Sequence, residues 1–591
     1  MQATSTTQTS HGLNVQVIDT AQARSELREA VQACNERGLY FAARWAAEAL
    51  NGLPTLDTAT ASTGSRPHPS LQPPAATTTP IYTSNYTDEL SLNSNILSSG
   101  ADPSEFDTYL MAKTFFDLKE FDRCASILEG CTSHKSQFLR LYSKYLVGEK
   151  RREQETHEVL GPLDNGLAIN KEIEKIDSEL AECYQAGTLD SFCKYLYGVV
   201  LIKRQRKSLA VTVLVESVNQ YPYNWSAWVD LGSCLPSYAA IKKIKPELPP
   251  NFMTTYFLSH ATLEHFSTQH EEGAVWLDEL NAEFPNSAYV KCQRAIALYH
   301  ARDFPGAAKI FEELIKENPH RLDSMDVFSN VLFVTDSRAR LSFLAHSCAM
   351  TDNFRPETCC VIGNYYSMKS EHEKAVVYFK KALRFNRSYS SAWTLLGHEY
   401  LEMKNTYAAV ESYRRAVDYN HRDYRAWNGL GQTYEALKMH YYALNYYQRA
   451  TAIRPYDGRM WCAMAECYEY LDQDLAAIKC YTRALLGTDQ EKMALKKLPK
   501  LYKKIGDTEA AAHYFRKSLE QLREEQSDSE DTSEACIFLA LYERGKGNLV
   551  VASDYATEAM QCSSEQHQED AKALLREIRS VLDAGESDEV E

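Results

Sequence analysis

The sequence predicts an all-α superhelical solenoid built from antiparallel helix pairs, and three observations predict it. Trp393, Trp427 and Trp461 lie 34 residues apart, twice in succession. Glycine supplies only 24 of the 591 residues, about 4% against about 7% in average usage, while tyrosine reaches 37. Low glycine with many aromatics suits packed helices better than turn-rich sheets. At 591 residues the chain also exceeds one ordinary core, so several cores or a continuing array must account for it.

The surroundings of the three indoles repeat with them. Each is followed by a large and a small residue (Leu396-Gly397, Leu430-Gly431, Met464-Ala465) and then by Tyr400, Tyr434 or Tyr468. The same step carries Ala409, Ala443 and Ala477, then Tyr413, Tyr447 and Tyr481, then Ala416, Ala450 and Ala484. A helix pair every 34 residues with these residue types is the tetratricopeptide (TPR) pattern. Large residues at repeat positions 4, 7 and 11 share one face of a 3.6-residue period. Small residues at positions 8, 20 and 27 let helix axes approach, and the aromatic at 24 fills the space between neighbours. Proline at position 32 stops the second helix, because it lacks an amide and disfavours helix just before itself. Pro455 occupies that position, while His421 stands there one repeat earlier.

Extending the frame backwards gives repeat starts at 356, 322, 288 and 254, the 322 repeat being the most degenerate. Forwards, the 492 repeat keeps Tyr502, Ala511 and Phe515, an acidic insertion at 526–532 breaks the frame, and a final repeat resumes at 533–566. Upstream, repeats starting near 191 and 225 end in an irregular Pro-rich loop at 235–250, within an N-terminal array over 104–253. A central and C-terminal superhelix then spans 254–525. The N-terminal 1–20 and the Ser/Thr/Pro-rich 51–103 have no periodicity and read as disordered segments flanking a helical pair at 21–50; a capping helix and acidic tail close the chain at 567–591. No single repeat buries its own face, so stability comes from stacking, which builds a long inner surface.

Composition bounds the function. Eighty Asp and Glu against 64 Lys and Arg give a net charge of −16, which argues against a dominant nucleic-acid surface. Fifteen scattered cysteines and a start lacking a charged-then-apolar signal point to an intracellular, reducing home. The longest obvious apolar run, Tyr195 to Ile202, has eight residues against the ~20 needed to span a bilayer, so no membrane partner is expected. No cofactor and no metal are expected. Cys359-Cys360 and the Cys462/Cys467 pair lack paired CxxC spacing, and Gly429-Leu430-Gly431 sits inside a predicted helix without the strand a phosphate loop requires. The basic run Lys203 to Lys207 reads as a solvated turn rather than an import signal, and Thr79-Pro80 and the serines of 526–532 are candidate phosphorylation sites.

Several strings go beyond what the TPR pattern demands: MDVFSN (325–330), ETCCVIGNYYSMKSEHEKAVVYFKKAL (357–383), AWTLLGHEYLEMKNTYAAV (392–410), RDYRAWNGLGQTYEALKM (422–439), RPYDGRM (454–460) and KMALKKLPKLY (492–502). With ERGLYFAARWAAEAL (36–50), they closely resemble the family of subunit eight of the anaphase-promoting complex, or cyclosome. That resemblance implies a non-catalytic scaffold of a multisubunit ubiquitin ligase acting in mitosis. It implies homodimerisation through the N-terminal repeats, stacking with other TPR subunits, and a groove that receives short coactivator motifs whose key group is an arginine. The linker and the acidic insertion depart from the family.

The inner face of a TPR solenoid is lined by first-helix positions 2, 5, 9 and 12. Position 5 gives Asp326, Cys360, Thr394, Asn428 and Cys462; position 9 gives Asn330, Asn364, His398, Gln432 and Glu466; position 12 adds Glu435 and Glu469. Apart from Cys462, these form the candidate peptide-binding stripe. It is polar and net acidic, suited to an arginine-bearing extended peptide through charge-assisted hydrogen bonds. A clamp for acidic C-termini needs Lys and Asn, then Lys and Arg, at fixed first-helix positions; here these hold Cys360, Asn364, Leu395, Arg425 and Gly429, of which only Asn364 and one cation are serviceable. Another TPR adaptor in chaperone or transport work, or an enzyme built on repeats, is the alternative reading.

Overall fold

The computed structural model describes residues 19–54, 103–156, 169–264, 270–487, 493–524, 530–561 and 565–588. Among the described residues there are 29 α-helices and no strand. The chain divides into two compact units, Met1–Thr335 and Asp336–Glu591.

The first unit holds α1 (Thr20–Glu36), α2 (Tyr40–Gly52), α3 (Pro103–Asp117), α4 (Phe121–Ile127), α5 (His134–Thr156), α6 (Ile173–Gln185), α7 (Ser191–Lys203) and α8 (Lys207–Gln220). It continues through α9 (Trp225–Cys234), α10 (Tyr238–Ile244), α11 (Phe252–Glu264), α12 (His270–Glu283), α13 (Ala288–His300), α14 (Phe304–Glu317) and α15 (Met325–Val334). Side-chain caps start several of them: Asp19 accepts from two amides of α1, Asp190 from Cys193 and Ser287 from Val290.

The hairpin α1–α2 does not stand apart. One face of α2 is Ala42, Ala46 and Ala49, small enough for close approach, and Trp45 projects from it as the single large residue of that face. Trp45 stacks on Trp225 at 4.6 Å and 11°, with Tyr256 and Tyr289 edge-on at 5.1 and 6.2 Å. Polar contacts fix the rest of the hairpin. Arg37 lies 4.0 Å over the Phe192 ring, Arg44 reaches Asp323 at 3.0 Å, Arg321 reaches Glu48 at 3.6 Å, and the Asn286 amide donates to the Gly52 carbonyl. Its partners are thus drawn from Tyr109 and Asp117 of α3 through to Asp323, and one hydrophobic cluster joins it to α5–α13.

The loop read as irregular at 235–250 contains a two-turn helix, α10, followed by a 3-10 turn at Lys245–Glu247. The prolines explain both findings. Pro236 and Pro246 bracket a proline-free YAAIKKI that can form helix, and Ile241 anchors it in the core.

The second unit holds α16 (Arg338–Thr351), α17 (Pro356–Met368), α18 (His372–Phe385), α19 (Ser390–Glu402), α20 (Thr406–Tyr419), α21 (Tyr424–Ala436) and α22 (His440–Ile453). Then come α23 (Gly458–Tyr470), α24 (Asp474–Leu486), α25 (Met493–Ile505), α26 (Thr508–Glu524), α27 (Glu530–Gly545), α28 (Leu549–Met560) and α29 (Glu565–Asp588). The 34-residue step is a stacking pitch. Trp393, Trp427 and Trp461 donate their indole N–H to the carbonyl six residues upstream (Arg387, His421 and Pro455), each at 2.9 Å. Arg415 and Arg449 lie over the first two of these indoles at 5.4 and 4.9 Å.

The small and aromatic positions of the pattern meet as well. A Cβ on Gly397 would fall 2.5 Å from the Tyr413 ring, and one on Gly431 would fall 2.4 Å from the Tyr447 ring, so only glycine admits these tyrosines. The next repeat's Gly429 also packs against the Tyr413 ring, where a Cβ would fall 2.4 Å away. The Gly429-Leu430-Gly431 string is therefore helix packing. Backbone geometry keeps the frame even where side chains lapse. Arg302, Asp336, Ser370, Lys404, Lys438, Asp472 and Gly506 follow one another at 34-residue steps, and all have positive φ at the turn between paired helices.

Candidate peptide-binding site

The candidate stripe falls in both units. Asp326 and Asn330 belong to α15 of the first; Asp326 is buried and Asn330 partly so. All other members lie in the second unit, on α17, α19, α21 and α23.

On those four helices the residues divide by depth. Cys360, Asn364 and Thr394 are buried, at 0%, 3% and 1% exposure. The Thr394 hydroxyl donates to Asp423 Oδ2 at 2.9 Å, so it ties its own helix to the cap of the next first helix. His398 and Asn428 are partly exposed, Gln432 is exposed, and Glu435, Glu466 and Glu469 are partly exposed. Only this second set presents polar atoms to an incoming chain.

Within it, three carboxylates form an acidic surface. Burial raises the pKa of Glu466; the Lys497 charge opposes that rise, and the neighbouring Glu435 and Glu469 charges add to it. A guanidinium arriving between these groups would relieve their mutual repulsion, which is the electrostatic condition for arginine recognition.

The core aromatics hold the stripe in place. The Tyr447 hydroxyl donates to Glu435 Oε2 at 2.7 Å, the Tyr481 hydroxyl donates to Glu469 Oε1 at 2.5 Å, and the Tyr413 hydroxyl lies 2.8 Å from His398 Nδ1. All three rings are fully buried. The tyrosine at repeat position 24 therefore does two things: its ring fills the inter-helix gap, and its hydroxyl reaches the inner row and orients one polar group there. Burial, with Arg425 adding to it against Asp423, lowers the His398 pKa to about 4. The ring is neutral at pH 7 and shares one hydrogen bond with the tyrosine hydroxyl.

Sequence reasoning passed over the caps beneath the stripe. Asp423 is 3% exposed, accepts from the Arg425 amide and Nε at 3.1 Å each, and receives Thr394. Burial raises its pKa, yet Arg425 and these hydrogen bonds outweigh burial and leave it below the ordinary carboxylate value. Asp457 and Arg459 repeat the arrangement 34 residues on. An Asp-x-Arg recurring at the repeat step was the available signal.

One Ser–Glu–His cluster has the residue types of a catalytic site but not its order. Ser367 donates to Glu399 Oε1 at 2.6 Å and His372 Nδ1 lies 2.9 Å from Oε2, so the carboxylate sits between them and the serine faces an acid oxygen rather than the imidazole. Among the described residues, no grouping of three His, Cys, Asp or Glu could hold a metal ion, and no helix is long and apolar enough to cross a membrane.

The residues 22–295 match the family model described as Anaphase promoting complex subunit 8 / Cdc23, and residues 356–389, 390–421 and 424–457 match the tetratricopeptide repeat. The chain is 46% identical over 561 residues to "Anaphase-promoting complex subunit 8" of Arabidopsis thaliana, covering 94% of this chain and 96% of the relative. It is 40% identical over 606 residues to the protein of the same name in Dictyostelium discoideum, covering 95% and 98%. It is 31% identical over 446 residues to "Anaphase-promoting complex subunit CDC23" of Saccharomyces cerevisiae, covering 65% and 70%. With end-to-end likeness and a repeat array whose polar groups serve caps and an inner stripe, the chain belongs to the anaphase-promoting complex subunit 8/Cdc23 family of TPR scaffold subunits, which are not themselves catalytic.

Proposed function

We propose that the protein works inside the anaphase-promoting complex, in nucleus and cytoplasm, as a non-catalytic scaffold. It pairs with a second copy through its N-terminal repeats, stacks with other TPR subunits, and docks short arginine-bearing coactivator motifs on the first-helix row of the second unit. The observation that carries the docking reading is the surface of Glu435, Glu466 and Glu469, two of whose carboxylates are oriented by buried tyrosines. Charge-assisted hydrogen bonds to such preset oxygens favour a planar guanidinium. The test is fluorescence anisotropy of a labelled coactivator peptide on the full chain. Replacing the peptide's arginine by alanine, or introducing Glu469→Lys, is expected to weaken binding at least tenfold. Unchanged affinity in both arms would refute the docking reading.

A further inference from the structure

The second unit carries a second chemically distinct surface, on its outer helices. Phe343 and Met350 of α16, Phe354 in the following turn, and Val377 and Phe385 of α18 are 70%, 77%, 72%, 63% and 42% exposed. Phe343 and Met350 are seven residues apart, hence on one side of their helix, and Val377 holds the repeat position of Phe343 one hairpin later. Phe354 and Phe385 meet edge to face at 5.9 Å, which joins the end of one outer helix to the end of the next. At roughly 150–250 Å² per aromatic side chain, the three phenylalanines alone leave on the order of 300 Å² of apolar surface in water. That is the scale of the largest apolar patch on an ordinary soluble protein, which is often functional.

Charge says what covers it. The helices α16 and α18 carry Arg338, Arg340, Lys374, Lys380, Lys381 and Arg384 against Glu373; Asp336 and Glu371, just before the two helices, pair Arg338 and Lys374, which leaves Lys380, Lys381 and Arg384 as the basic group beside the ridge, in a chain whose net charge is −16. Lys381 is held 5.6 Å above the Phe354 ring and 5.9 Å from that of Phe385, so one cation is set inside the apolar ridge itself. Aromatic and basic groups interleaved in this way also suit nucleic acid, but a phosphodiester has no aliphatic side chains for Phe343, Met350 and Val377 to receive.

We propose that the outer face of α16 and α18 docks an acidic amphipathic segment of a partner protein. Its apolar side chains lie on the Phe343–Val377 ridge, and its carboxylates meet Lys380, Lys381 and Arg384. This surface is separate from the first-helix stripe, so an arginine motif and an acidic segment bind together. The test places a photo-crosslinking phenylalanine analogue at position 343 of the full chain, co-expressed with the other subunits of the complex, and maps the captured peptide by mass spectrometry. A control at position 407, an 84% exposed tyrosine on α20, reports non-specific capture. The expected result is a single segment with more Asp and Glu than Lys and Arg, captured from 343 and not from 407. Its yield should fall at least fivefold in Lys380→Glu/Arg384→Glu, with circular dichroism and melting unchanged. Capture of a neutral or basic segment, capture of nucleic acid, capture that survives the charge reversal, or no capture from a complex that assembles normally would each overturn the proposal.

Discussion

Adding one methyl group at Gly431 probes the stacking pitch directly. A Cβ there would lie 2.4 Å from Tyr447 Cε1 and 2.6 Å from Cδ1, where ordinary contact is 3.4–4 Å. The ring has to retreat by about 1 Å, but it is fully buried and its hydroxyl is bonded to Glu435 at 2.7 Å. Overpacking of this kind costs about 1–3 kcal/mol, while exchanging glycine for alanine inside a helix returns roughly 1 kcal/mol. Gly431→Ala should therefore lose up to about 2 kcal/mol net. Gly545→Ala, which has open space around its Cβ, should be neutral or slightly stabilising. Hydrogen exchange is the assay of choice, because repeats in a solenoid open by neighbouring units rather than all together. Faster exchange confined to α21, α22 and the helices against them is expected. If Gly431→Ala matches Gly545→Ala in melting and leaves exchange in α21 and α22 untouched, the packing argument is wrong.

Three further outcomes follow from the same structure. Asp423→Ala removes a helix cap, leaves the Thr394 hydroxyl only the Ser390 carbonyl and takes the carboxylate from the partly exposed Arg425, which should cost about 1–3 kcal/mol; Asp423→Asn, keeping the cap, should cost less, and paired denaturation curves separate the two. Because burial holds His398 near pH 4 against 6.5 when unfolded, the unfolded chain binds the extra proton between those values. Stability contributed by neutral His398 is thus intact above pH 6.5 and lost toward pH 4, by up to about 1.4 kcal/mol per pH unit, and His398→Gln should flatten that slope in melting curves. Trp45→Ala empties the aromatic cluster beside Trp225 and should cost about 3–5 kcal/mol, read as faster proteolysis of the first hairpin than in wild type.

The fold was legible because a TPR writes its packing twice, in tryptophan spacing and in the glycine–tyrosine pairing, and both recur at one step in repeats 390 and 424. What escaped was what the period does not encode. The destination of the α1–α2 hairpin depends on Trp45 meeting Trp225, 180 positions away, and no local signal carries that. The turn at Asp336 is visible only as a positive φ, since nothing at that position is glycine. At the site, counting positions found the right helices but could not give depth. Thr394 and Asn428 hold the same repeat position, yet Thr394 turns to the Asp423 cap while Asn428 stays partly exposed. The tyrosine hydroxyls that orient Glu435 and Glu469 were counted as core because their rings are core.

The docking account is tested most directly by cross-linking a photoreactive coactivator peptide to the full chain and reading the attachment sites by mass spectrometry. Attachment on α21 and α23, near Gln432, Glu435, Glu466 and Glu469, and its loss when the peptide's arginine is replaced, is the predicted result. Attachment confined to the outer helices α20, α22 and α24, or unaffected by the arginine, would contradict it.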